Sequence, residues 1–129
     1  MRITELDTNL ILSLMEMNGG STTDLAKAIA EDEDPYELKK WENKIRYRLE
    51  RMRERELLSK NGTAYRVNVE RVFLTDATMQ LGIGVDVSMG MMLVVYPRDD
   101  DLLMRQISFE TLQKNHAGLY GKQLNKKVA

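Results

Sequence analysis

Residues Asp34–Val69 constrain this 129-residue chain more than any other stretch. They read as a long basic helix, DPYELKKWENKIRYRLERMRERELL, running without a linker into a hairpin, LLSKNGTAYRV. Asp34 is placed to cap the helix, Pro35 takes the first helical position, where a missing N–H costs nothing, and Glu37 stands third. Leu38, Trp41, Ile45, Leu49 and Met52 then recur at steps of three and four and form one apolar stripe. Trp41 falls on that stripe and is expected in the core rather than as a stacking platform. The remaining positions carry Lys39, Lys40, Asn43, Lys44, Arg46, Tyr47, Arg48, Arg51, Arg53 and Arg55. Asn61-Gly62 predicts a type I′ turn, whose central residues both need positive φ. That turn pairs Lys60 with Thr63, Ser59 with Ala64 and Leu58 with Tyr65. Leu58, Tyr65, Val67 and Val69 would share the face toward the helices, with Arg66 outward and Lys60 at the tip.

A stripe of this length needs something to bury against, and two shorter helical patterns come before it. The first covers about Glu5–Met17, with Leu6, Leu10, Ile11, Leu14 and Met15 on one side. Asn18-Gly19-Gly20 ends it, because glycine takes the left-handed conformation of a helix C-terminus. The second covers about Thr22–Glu31, capped by Ser21 or Thr22, with Leu25, Ala26, Ala28 and Ile29 buried. The run Glu31-Asp32-Glu33-Asp34 reads as a solvated connection whose last residue caps the next helix, not as a metal site.

After Arg71 the pattern changes. Val72-Phe73-Leu74 is a short apolar run of either type. Gln80–Val87 alternates as a strand does, Ser88-Met89-Gly90 reads as a turn, and Met91–Tyr96 as a second strand stopped by Pro97. Asp99-Asp100-Asp101 would cap a helix over about Asp101–Lys114, and the tail beyond Gly118 is polar and basic. The division expected is therefore 1–71 and 72–129, within an α+β fold.

Composition excludes several functions. Without cysteine there is no disulfide, thiol chemistry or cysteine-bound zinc. The one histidine, His116, stands in the polar tail, which leaves no histidine-rich metal site. There is no glycine-rich phosphate loop, nucleophile motif or framed carboxylate pair, so no enzyme and no cofactor are expected. No apolar run approaches the roughly 20 residues that span a bilayer, and MRITELDTN is too polar for a signal peptide. A cytoplasmic protein without membrane or small-molecule partners is the expectation.

The net charge of −1 hides a segregation. Residues 1–34 hold 2 basic and 8 acidic groups, a net of −6, whereas residues 35–71 hold 11 and 6, a net of +5. Residues 72–129 balance at 6 and 6. Phosphate binding responds to the local field rather than to the sum.

Three helices followed by a hairpin, in this order and at these lengths, resemble a winged helix-turn-helix domain. Ile45, Leu49 and Met52 followed by Arg55-Glu56-Leu57-Leu58 match the end of its recognition helix and the start of its wing. Asn61-Gly62 matches the wing tip, and Tyr65-Arg66-Val67 the returning strand. The resemblance covers about residues 3–69 and is closest to the small winged-helix transcription regulators common in archaea and their viruses. It implies a three-helix unit with a β-hairpin wing, here extended by a C-terminal β-hairpin and helix. It also implies sequence-specific binding of double-stranded DNA, with the third helix in the major groove and the wing on the backbone. Lys40, Asn43, Lys44, Arg46 and Tyr47 would then reach base edges. Lys39, Arg51, Lys60 and Arg66 would contact phosphates. A single unit reads few base pairs, so a homodimer is expected, joined through the second hairpin and the helix near Asp101–Lys114. The rival reading is a winged-helix adaptor that binds proteins, consistent with the acidic first third and the methionine-rich hairpin Leu81–Tyr96.

Overall fold

Each helix starts where a side chain can satisfy its first N–H groups. In the computed structural model, which describes residues 2–30, 34–98 and 102–108, Thr4 caps α1 (Glu5–Met17) and Ser21 caps α2 (Thr22–Ile29). Both caps are reciprocal: Asp7 and Asp24 reach back to the cap residue's own N–H. Asp34 caps α3 (Pro35–Glu54) by accepting the Tyr36 N–H at 3.0 Å. Asn18 (φ 54°) and Gly19 (φ 103°) close α1 in the left-handed region.

The hairpin β1 (Leu58–Asn61) and β2 (Ala64–Val67) follows α3 directly. Its register differs by two residues from the one expected: Asn61 pairs with Ala64, Lys60 with Tyr65 and Leu58 with Val67. The turn is therefore Gly62-Thr63, and only Gly62 (φ 64°) has a positive φ. Glycine at the first central position suits a type II′ turn, which asks nothing unusual of Asn61. A shift of two keeps every side chain on its expected face. It does move Lys60 from the turn into the strand, opposite Tyr65. Val69 lies beyond β2 and is exposed, not part of the buried face. A further antiparallel bridge pairs Gly20, between α1 and α2, with Tyr65 through bonds of 3.0 and 2.8 Å.

Beyond Arg71 the chain makes a three-stranded antiparallel sheet, β3 (Val72–Gln80), β4 (Asp86–Val95) and β5 (Leu103–Ile107), with β4 in the centre. Two expectations fail here. The turn lies at residues 81–85, not at Ser88–Gly90, because Gly82 and Gly84 both take positive φ and the Leu81 N–H closes on the Val85 carbonyl at 2.6 Å. Glycines alternating with apolar residues imitate the period of a strand in sequence. Gly90 (φ 106°) instead lies at a bulge, where the register shifts between Ala77 and Thr78. The second failure is the helix near Asp101–Lys114: Leu103–Ile107 is a strand on the free edge of β4. Backbone partners offered by that edge override the local helical pattern. Residues 109–114, with Glu31–Glu33, Asp99–Asp101, His116 and the basic tail, lie outside the described residues.

One buried cluster joins these parts, from Leu10, Leu14 and Leu25 through Leu49, Leu57 and Tyr65 to Leu74 and Leu93. Ala28, expected inside, is exposed, while Leu12, Asp7 and Ser13 extend the buried side of α1 beyond its stripe. By strand alternation Val72, Leu74, Met91, Leu93, Val95 and Ile107 face the helices. Phe73, Thr75, Met92, Val94, Met104 and Gln106 face away from them. Among the described residues the fold is α+β, three helices with antiparallel sheets.

Candidate nucleic-acid interface

The roll of α3 about its axis decides what it offers to a partner. Ile45, Leu49 and Met52 are fully buried, with Leu38 and Trp41 half-buried against the same cluster. At about 100° per residue, Tyr36, Asn43 and Tyr47 then lie opposite Ile45. Tyr36 and Tyr47 are 67% and 62% exposed, unusual for aromatic side chains with no apolar cover.

Two polar contacts fix this roll. Asp7 of α1 is fully buried and accepts two bonds from the Arg48 guanidinium, Nε at 2.7 Å and Nη2 at 2.5 Å. The same carboxylate accepts the Thr4 N–H at 3.0 Å, so one side chain both caps α1 and holds α3. The hydrogen bonds to Asp7 raise the Arg48 pKa above its ordinary value. Arg48 is thereby turned inward and removed from the outer surface.

The second contact is Glu50. It accepts from Arg53 at 2.8 and 3.1 Å and from the Tyr65 hydroxyl at 2.6 Å. Arg53 first and Tyr65 second hold its carboxyl down at about 2. Burial, with the bond to Glu50, pushes the Tyr65 phenol up to about 12. This contact ties the hairpin to the flank of α3.

All nine side chains nominated from sequence are exposed. Lys39, Lys40, Asn43, Lys44, Arg46, Tyr47 and Arg51 share the outer side of α3, along a helix roughly 30 Å long. Lys39, Lys44, Arg46 and Arg51 have no carboxylate partner among the described residues. Lys40 lies 3.7 Å from Glu37 and 4.5 Å over the Tyr36 ring, and Lys44 lies 5.4 Å from the Trp41 ring. Arg46 donates to Asn43 Oδ1 at 3.4 Å.

The two hairpin residues do not stand together beside this surface, contrary to expectation. Lys60 lies on the α3 side, 5.1 Å over the Tyr65 ring. Arg66 lies on the other face, where it donates to Asn18 Oδ1 at 3.0 Å. It lines a groove of about 560 Å³ with Asn18, Gly19 and Glu70. Strand alternation separates them, since Arg66 pairs with Ser59 and Lys60 with Tyr65. Sequence reasoning missed Tyr36, although its seven-residue spacing from Asn43 places it on the same outer line. It also missed Asp7, whose signal was the capping pattern Thr4-x-x-Asp7.

Comparison with known protein families, with curated proteins and with solved structures finds no match. Among the described residues, no helix is long and apolar enough to cross a membrane.

Proposed function

We propose that residues 1–71 form a winged helix-turn-helix domain that binds double-stranded DNA as a transcription regulator, without enzymatic activity. In this reading α3 lies in the major groove and the β1–β2 hairpin is the wing. The observation that carries it is the outer side of α3: a line of Tyr36, Lys40, Asn43 and Tyr47 flanked by Lys39, Lys44, Arg46 and Arg51, four cations with no carboxylate at ion-pair distance among the described residues. The roll that exposes this line is set by the Asp7–Arg48 and Glu50–Tyr65 contacts. Also in support are the element order and the bridge from Gly20 to Tyr65, which seats the hairpin against the α1–α2 connection.

The chemistry divides the surface. Arg46 offers a fork that fits the two acceptors of guanine, and Asn43 an amide that fits adenine. Lys39, Arg51 and Lys60 suit phosphates, which set position without reading sequence. Titration against duplex DNA at about 50 and 200 mM salt tests the reading. A binder making six or more phosphate contacts loses roughly a thousandfold in affinity over that range. Absence of binding at the lower salt would refute it and favour a protein partner for the same surface.

A further inference from the structure

We propose that the outward face of the β3–β4–β5 sheet, together with the arm at its end, is the contact with a second copy of this chain. The inference rests on the sheet and not on the reading of α3.

The arm is patterned for burial on the side away from its own core. Beyond the bulge, β3 and β4 continue as a two-stranded ribbon past the end of β5, whose pairing with β4 stops at Met91. Thr78, Gln80 and Asp86 take the side that faces the helices in the rest of the sheet, and all three are exposed. Met79 and Val87, paired with each other, take the opposite side. A ribbon that served only its own core would carry the reverse pattern, and two strands alone are marginal in water. The apolar side runs on into Met92, Val94 and Met104 and ends at the stacked pair Phe73 and Tyr96, ring centroids 5.6 Å apart. At the other end, Leu81, Ile83 and Val85 stand exposed in the loop, Ile83 completely.

Charge and area select a second copy as the occupant. The outward positions of the three strands carry no charged side chain, in a chain that is 30% charged. A partner recognised by complementary charge has only Asp76, among the residues lining the groove of this face, to meet here, whereas two copies meet with little like-charge repulsion. The seven exposed side chains of the face and loop (Met79, Leu81, Ile83, Val85, Val87, Tyr96 and Met104) present on the order of 100 Å² each. Together that approaches the roughly 800 Å² per partner of a standard interface. The face also holds a shallow groove of about 300 Å³ lined by Thr75, Asp76, Ala77, Met92, Val94 and Met104. A two-fold arrangement lets the loop of each copy, led by Ile83, lie over the groove of the other, the self-complementary contact of a closed dimer.

Sedimentation velocity of the full chain from about 1 to 100 µM tests this. The expected species is a dimer, about twice 14.9 kDa. Ile83→Asp and Met104→Glu, both at exposed side chains that the fold does not need, should each raise the dimer dissociation constant at least tenfold with an unchanged circular-dichroism spectrum. Val69→Asp, at a similarly exposed apolar residue off this face, should leave it unchanged. A wild-type monomer throughout the range overturns the proposal, as does a dimer that survives both Ile83→Asp and Met104→Glu.

Discussion

The pair Asp7–Arg48 offers the most direct test of how the chain sets the outer face of α3. Arg48→Met removes the guanidinium and leaves a carboxylate that is fully buried, with the Thr4 N–H as its remaining donor among the described residues. Breaking a buried pair from one side costs about 3–5 kcal/mol. The Arg48 side chain keeps 19% of its exposure, so water approaches the pair from that side. The lower end, about 3 kcal/mol, is therefore expected. Asp7→Asn keeps an acceptor for Thr4 and leaves an arginine that can turn to solvent, which places its cost nearer 2 kcal/mol. Asp7→Ala loses the cap as well and adds about 1 kcal/mol. The double variant Asp7→Asn/Arg48→Met should cost about 2 kcal/mol less than the sum of its singles, because either single change already abolishes the interaction. Urea unfolding followed by circular dichroism at neutral pH measures all four. A 3 kcal/mol loss lowers the melting temperature by about 10 °C in a chain of this size. Additive singles, or an Arg48→Met cost below about 1 kcal/mol, would show that α3 is held by its apolar stripe alone.

Three further outcomes follow from named contacts. Glu50 has its carboxyl lowered from 4.5 to about 2, so its contribution is present above the ordinary carboxylate range and lost as pH falls toward 2. Its partly exposed position limits that contribution to about 1 kcal/mol; Glu50→Gln should lower stability at pH 7 and flatten the acid limb, and an unchanged limb in urea unfolding would remove the tie to Tyr65. Gly19→Ala places a methyl 2.9 Å from Arg66 Cγ and 3.2 Å from the Tyr65 carbonyl at φ 103°, whereas Gly62→Ala meets nothing within 4 Å at φ 64°. Gly19→Ala should therefore cost more than the roughly 1 kcal/mol of backbone strain expected at Gly62, and equal losses would refute the packing argument. On DNA, Arg46→Ala should cost about 1–3 kcal/mol and relax preference at one base position, while Lys60→Ala should flatten the salt dependence by about one unit and Arg66→Ala, on the opposite face of the hairpin, should leave it unchanged. A flattened slope for Arg66→Ala would bring the far face of the hairpin into the interface.

Much of the helical half was legible because its signals are local. Thr22, Pro35 and the stripe from Leu38 to Met52 are fixed by caps and by a period of 3.6, which neighbours in sequence supply. The α1 limits agree with Glu5–Met17 for the same reason. The strand half was not legible in this way. Gly82 and Gly84 imitated a strand, Gly90 imitated a turn, and LLMRQI imitated a helix, because strand assignment depends on which edge is free to pair.

By itself, the sequence determined where the helices start, which side of α3 is apolar and that the basic charge gathers between residues 35 and 71. Tertiary structure alone decided that Arg48 turns inward to Asp7, that Lys60 and Arg66 part to opposite faces of the hairpin, and that Met79 and Val87 point away from the core. The first of these depends on a partner 41 residues away and the other two on strand register. Propensity and periodicity carry no information at that range; packing and pairing do.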